Sequence, residues 1–138
     1  MIHLTRSDYE AMTAYARDGL PNECCGLLAG KQNGDDAFVE KVYYLNNIDA
    51  SPEHFSMDPA EQFAVLRDIR RRNLALIGNF HSHPETPSRP SDEDKRVAFD
   101  PSLRYLILSL AEEKPVLRSF RIRGGEATAE PLHIEEEE

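Results

Sequence analysis

A chain of 138 residues, 40% hydrophobic and 30% charged, carries enough apolar material for one core, and it divides into a single domain at 1–134 and an acidic tail at 135–138. Its net charge of -9, from 25 acidic against 16 basic residues, leaves no basic face for a phosphate backbone and excludes nucleic acid as a partner. No apolar run approaches the roughly 18 to 20 residues of a membrane span, the opening MIHLTRSDYE lacks the zones of an export signal, and the adjacent Cys24 and Cys25 cannot staple distant segments, so a cytoplasmic protein without membrane or disulfide scaffold is expected.

In chain order, Thr5 opens a helix as N-cap, with Asp8 three residues on, Tyr9, Met12 and Ala16 along one stripe, and Gly19 as the stop. After Pro21-Asn22-Glu23, the apolar run 25–29, the turn Asn33-Gly34-Asp35 and the β-favouring run 37–45 predict a hairpin. A loop over 46–53 leads to a short extended piece at 54–57. Asp58 then caps a second helix, with Pro59 at its first position and Glu61 at its third. Phe63, Leu66 and Ile69 or Arg70 form its apolar stripe, and Arg70-Arg71-Arg72 complement the negative end of its dipole. The continuous apolar run 74–80 predicts a buried central strand, and the prolines within 84–90 make that segment a loop. A short helix over 91–98 is followed by strands at 103–110, 116–122 and 127–134, joined by Glu113-Lys114-Pro115 and Gly124-Gly125 turns. The fold class is α/β in the broad sense, more narrowly α+β: one domain with a mixed, mostly antiparallel sheet flanked by helices.

The stretch that carries chemistry is His81-Ser82-His83-Pro84, with Ser91 after six further residues and Asp94 three beyond it. Histidines at i and i+2 share a face only on a strand, and the strand-like run precedes them. Two imidazoles and the Asp94 carboxylate would give three protein ligands with an open fourth position, the pattern of a catalytic zinc site whose water has a pKa near ~7. Such a hydrolase also needs a proton carrier and an oxyanion donor, roles that Glu23 and Ser91 can fill. Gly26 after Glu23 permits close backbone packing beside a site. Ser91 and Asp94 also scan as an ordinary N-cap and N3 pair, and an N3 carboxylate can serve both purposes.

These residues resemble the JAMM metalloproteases, the catalytic MPN domains, whose signature is a glutamate followed downstream by His-x-His-Pro, six residues and Ser-x-x-Asp. His81, His83, Pro84, Ser91 and Asp94 match it, and Glu23-Cys24-Cys25-Gly26 looks like the family's glutamate segment. The resemblance implies a cytidine-deaminase-like MPN fold, one Zn2+ ion, and hydrolysis of a peptide or isopeptide bond next to a ubiquitin-like C-terminus. It implies His81, His83 and Asp94 as metal ligands, Glu23 as general acid/base and Ser91 as stabiliser of the intermediate. The compact spacing and the segment His54-Phe55-Ser56-Met57-Asp58-Pro59 are similar to stand-alone bacterial members. Some of these remove a cysteine or short extension from the Gly-Gly tail of a sulfur carrier. The expected partner is therefore the C-terminal tail of a ubiquitin-like or sulfur-carrier protein, entering by pairing with a strand edge beside the metal.

Other classes share parts of this pattern. A non-haem iron oxygenase also uses two histidines and a carboxylate, but it needs neither Glu23 nor Ser91 and sits on an all-β double sheet. A zinc deaminase, suggested by His83-Pro84-Glu85, calls for a downstream Pro-Cys-x-x-Cys that is missing. A non-catalytic MPN-type interaction module has typically lost ligands, all of which stand here. Cys24 and Cys25, pointing opposite ways on a strand, are expected to be buried rather than metal-binding.

Overall fold

A computed structural model describes residues 1–98 and 100–136. Its elements in chain order are β1 (Ile2–Thr5), α1 (Arg6–Asp18), β2 (Cys25–Asn33), β3 (Asp36–Leu45), α2 (Pro59–Arg71), β4 (Ala75–His83), α3 (Asp92–Val97), β5 (Arg104–Ser109), β6 (Val116–Arg123), β7 (Glu126–Glu130) and β8 (Leu132–Glu135). The strands form an eight-stranded sheet in the order β7-β6-β5-β4-β2-β3-β1-β8. Pairings β1 with β3, β1 with β8 and β4 with β5 are parallel, and the other four are antiparallel, giving the mixed, mostly antiparallel sheet expected. Among the described residues no helix is long and apolar enough to cross a membrane.

Two features of the sheet differ from expectation. The opening residues, for which no element is expected ahead of the Thr5 cap, form β1, which buries Ile2 and Leu4 between β3 and β8. Four alternating residues are too short a signal, and one of their partners lies at the far end of the chain. The single strand expected at 127–134 is two strands broken at Pro131, which has no N–H to continue a ladder. β7 and β8 are opposite edges of the sheet, yet one residue joins them, so their ends lie within about 7 Å. The sheet therefore curls round until its edges meet at Pro131, whose carbonyl accepts the Ile2 N–H at 3.0 Å. Glu135 ends β8, Glu136 pairs with Arg6, and the remainder of the acidic tail, Glu137 and Glu138, lies outside the described residues.

Helix α1 begins as its capping predicts, with Thr5 Oγ1 accepting the Asp8 N–H at 3.1 Å. It packs Met12 and Ala16 onto a core of Ile2, Leu4, Leu28, Ile77, Phe80, Leu106 and Leu108. On the other face of the sheet, Cys25, Leu27 and Leu45 pack with Tyr43, Phe55, Met57, Leu76 and Val65 of α2. Here the expected stripe of α2 is only partly buried. Ile69 faces the core with Val65 one turn earlier, whereas Phe63 is 64% exposed with Arg67 over its ring. Three-residue spacing drifts off a helix face, and the i, i+4 pair Val65 and Ile69 takes the core side. Of the extended piece expected at 54–57, only Met57 pairs, in an isolated bridge to Asn47.

The central strand runs three residues beyond Phe80, through His83. Its register against β2 skips Ile77, with Leu28 opposite Gly78 and Ala29 opposite Leu76. This bulge puts Ile77 and Phe80 on the same core although they are three residues apart. The histidines at the strand's end consequently face the opposite side, under α2.

Candidate active site

Strand β4 presents His81 and His83 on one face, as their spacing requires, and both are buried. Pairing with β2 on one side (His81 opposite Cys25) and β5 on the other (His83 opposite Ser109) fixes the strand at the site. The two Nε2 atoms are 3.1 Å apart, and each is 3.2 Å from Asp94 Oδ2 at the start of α3. Among the described residues, this is the group whose ligand atoms converge as a metal site requires. Tetrahedral zinc with ligands at about 2.0–2.1 Å sets them about 3.3 Å apart, so donor types and spacing both fit such an ion.

The surroundings orient these three side chains. His83 Nδ1 donates to the Pro87 carbonyl at 3.0 Å, which leaves the Nε2 lone pair facing Asp94. The proline-containing loop thus sets the tautomer. Phe55 stacks on His81 with ring centroids 4.7 Å apart. Asp94 has two functions at once: its Oδ2 accepts the Ser91 N–H at 2.9 Å, and its own N–H donates to Ser91 Oγ at 3.0 Å, forming a capping box. Burial pulls the His81 imidazolium below its ordinary pKa, outweighing the Asp94 contact. It acts the same way on His83, where Asp94 and the Pro87 carbonyl prevail and the pKa is raised. Burial pushes Asp94 up, but hydrogen bonds with both histidines hold its carboxyl well below the usual range.

Glu23 precedes β2, buried to 5% exposure, and its Oε1 has no hydrogen-bond partner among the described residues. Its backbone is tied on both sides. The Glu23 N–H donates to the Ser51 carbonyl at 2.8 Å, and its carbonyl accepts Asn47 Nδ2 at 3.1 Å. Next to it, Cys24 N–H donates to Ser82 Oγ at 2.8 Å, and Ser82 N–H returns a bond to the Cys24 carbonyl at 3.0 Å. Ser82 lies between the two histidines, so the strand that presents them also anchors the glutamate segment. Gly26 is the close approach its position suggests, because a Cβ there would stand 2.2 Å from the Phe80 ring and 2.3 Å from the Tyr43 carbonyl.

Burial pushes the Glu23 carboxyl up to about 8, opposed by His83 and reinforced by Asp94 and Glu93. In the metal-free protein the fold therefore holds a proton that the unfolded chain releases above 4.5. The contribution of Glu23 to stability falls as pH rises from 4.5 to about 8, and below that window this carboxyl is protonated in both states and contributes no pH dependence. Glu23→Gln should accordingly raise the melting temperature of the metal-free protein at pH 8 by a few degrees or more and leave it unchanged at pH 4. Thermal melts in EDTA at the two pH values check this, and equal melting temperatures at pH 8 would contradict it.

Cys24 and Cys25 are both buried, with thiols pushed up by burial to about 11 and about 12, so neither offers a thiolate to an ion. A groove of about 510 Å³ runs alongside the triad, walled by Leu27, Phe55, Met57, Leu66, Leu76 and Tyr105 and reaching His81 and Asp94. Ser91 stands exposed at the α3 N-cap. The structure thus brings His81, His83 and Asp94 together and anchors Glu23 on the same strand. Asn47, Phe55, Ser82 and Pro87 were not expected as contributors, although Ser82 stands between the histidines and Phe55 within the segment 54–59 that resembles bacterial members.

A cluster of two histidines and one carboxylate beside a buried carboxyl fits a metal site, and the mixed sheet with flanking helices differs from an oxygenase double sheet. Residues 5–123 match the family described as prokaryotic homologs of the JAB domain. The chain is 34% identical over 128 residues to the CysO-cysteine peptidase of Mycobacterium tuberculosis, across 92% of this chain and 86% of the relative. It is 33% identical over 105 residues to the desampylase of Haloferax volcanii, across 72% and 74% respectively. The solution structure of protein DSY2949 from Desulfitobacterium hafniense is similar with a TM-score of 0.91 at 58% identity, covering 99% of this chain and 94% of that one. This chain belongs to the prokaryotic JAB family, with the JAMM/MPN fold, and its class is that of JAMM-type hydrolases.

Proposed function

We propose that this chain is a zinc-dependent peptidase or isopeptidase that cleaves the bond following the Gly-Gly terminus of a ubiquitin-like or sulfur-carrier protein. The observation that carries the proposal is the convergence of His81, His83 and Asp94 at ligand spacing, with the buried Glu23, whose Oε1 has no partner among the described residues, next to Cys24, whose backbone bonds Ser82 of the same strand. Held by those three side chains, zinc would supply Lewis acidity toward the scissile carbonyl and acidify a water. Glu23 takes up the water's proton and passes it to the leaving amine, and its raised affinity for protons suits that transfer near neutral pH. Ser91 Oγ accepts the Asp94 N–H, which leaves its own hydroxyl proton to donate to the oxyanion. The apolar groove seats the extended tail, and glycine is required where a side chain would clash. The relatives named as a CysO-cysteine peptidase and a desampylase support a carrier-protein substrate.

The test uses the zinc-loaded protein with two substrates: a carrier domain ending in Gly-Gly-Cys, and the same domain joined through Gly-Gly to a lysine side chain. Mass spectrometry should detect release of the Gly-Gly carrier from at least one, abolished by a chelator and restored by zinc. No release from either substrate would refute the proposal.

A further inference from the structure

We infer that Asn47 is a positioning residue for Glu23, an inference that rests on the proposed acid/base role of that glutamate. Asn47 follows β3, and its side chain makes four hydrogen bonds. Nδ2 donates to the Glu23 carbonyl at 3.1 Å and to the His54 carbonyl at 3.0 Å. Oδ1 accepts the Asp49 and Ser56 N–H groups, both at 3.1 Å. Backbone carbonyls only accept and backbone N–H groups only donate, so the partners themselves dictate which way the amide faces. Every hydrogen-bonding position of the side chain is thereby used.

The two halves of the amide differ in reach, since the oxygen bonds only within the loop whereas the nitrogen bonds His54 inside it and Glu23 outside it. The oxygen closes the loop between β3 and α2, together with the Ile48 N–H to Ser56 carbonyl bond at 3.0 Å and the bridge from Asn47 to Met57. The nitrogen ties that loop to Glu23, whose N–H is meanwhile held by Ser51 of the same loop. Glu23 has no helix or strand of its own, lying between α1 and β2. Its carboxyl makes no hydrogen bond through Oε1, so its aim is set by its backbone, and Asn47 holds the carbonyl of that backbone. The same loop contributes Phe55, Ser56 and Met57 to the groove, so loosening the loop as a whole would weaken substrate binding.

Asn47→Asp keeps the bonds of the oxygen, with the Ile48 to Ser56 bond also holding the loop, and removes those of the nitrogen. The carboxylate keeps an acceptor for Asp49 and Ser56 but replaces the donor with an oxygen facing the Glu23 and His54 carbonyls. The expected result is a fall in kcat on the order of 10- to 100-fold, as small misplacements of catalytic groups produce, with KM within about twofold and zinc content unchanged. Asn47→Ala removes both sets of bonds and should lower kcat as far while also raising KM. Unchanged kcat in either variant that folds, or a rise in KM alone, overturns the inference, because Asn47 would then only shape the groove. Wild type inactive on both carrier substrates would defeat the proposed function itself. Wild type active, Glu23→Gln dead and Asn47→Asp unimpaired would defeat only the positioning role.

Discussion

Glu23→Gln should retain the metal and lose turnover by roughly 10²- to 10⁴-fold, the usual contribution of a positioned general acid or base. The substitution is nearly isosteric, and the bonds that hold this residue are made by its backbone to Ser51 and Asn47, so the local fold has no reason to change. Glu23 is not one of the converging ligand atoms, so zinc content should stay at the wild-type level. What changes is chemistry: a glutamine amide neither takes a proton from water nor returns one to an amine. Steady-state kinetics on the carrier substrates, with zinc measured on the same samples, distinguish this from metal loss. Turnover within about tenfold of wild type would mean that the water's proton leaves by another route. The sharper signature lies in where the loss falls, since an interaction made only in the transition state lowers kcat and kcat/KM together.

The parts of this site legible in the sequence are those governed by local rules. His81 and His83 share a face because they are two apart on a strand, and Asp94 is recognisable at its spacing from them. Glu23 is different. Its approach to the ligands depends on β2 pairing with β4 and on the Cys24 to Ser82 bond, contacts across 58 residues that no spacing announces. Only resemblance to a known family singled it out beforehand. Asn47 was invisible for a related reason, since an asparagine after a strand reads as turn chemistry, and here its oxygen does turn chemistry while its nitrogen reaches Glu23. In the fold, capping and periodicity foretold α1 and α2, but β1 and the break at Pro131 follow from the sheet closing on itself, which is set by pairings between the two ends of the chain.

His81→Ala should abolish metal binding and all activity with it, and the comparison with Asp94→Asn decides what the carboxylate is for. Removing an imidazole leaves two donors, too few for a structural or catalytic zinc site. Affinity should fall by more than the roughly 10- to 100-fold typical of losing an outer partner of a ligand. Asp94 is the ambiguous member, because its Oδ2 serves both the histidines and the Ser91 N–H. Asparagine preserves an acceptor for the cap and removes the negative charge. If Asp94 is a ligand, Asp94→Asn should lose zinc, while the metal-free protein keeps its cap, still folds, and gives up only what the carboxylate's bonds to the two histidines contribute. Ser91→Ala should do the reverse with respect to the cap, costing about 1 kcal/mol of stability and keeping the ion. Zinc titrations of the three variants beside thermal melts in EDTA give both readouts. Full zinc affinity in Asp94→Asn would reduce Asp94 to a helix cap and leave a pair of histidines, which could not hold a hydrolytic zinc with an open position. Loss of zinc in an Asp94→Asn protein that still folds would instead make Asp94 a ligand, one whose carboxylate the capping box holds in place. The helix start then belongs to the metal site as much as the strand that carries the histidines.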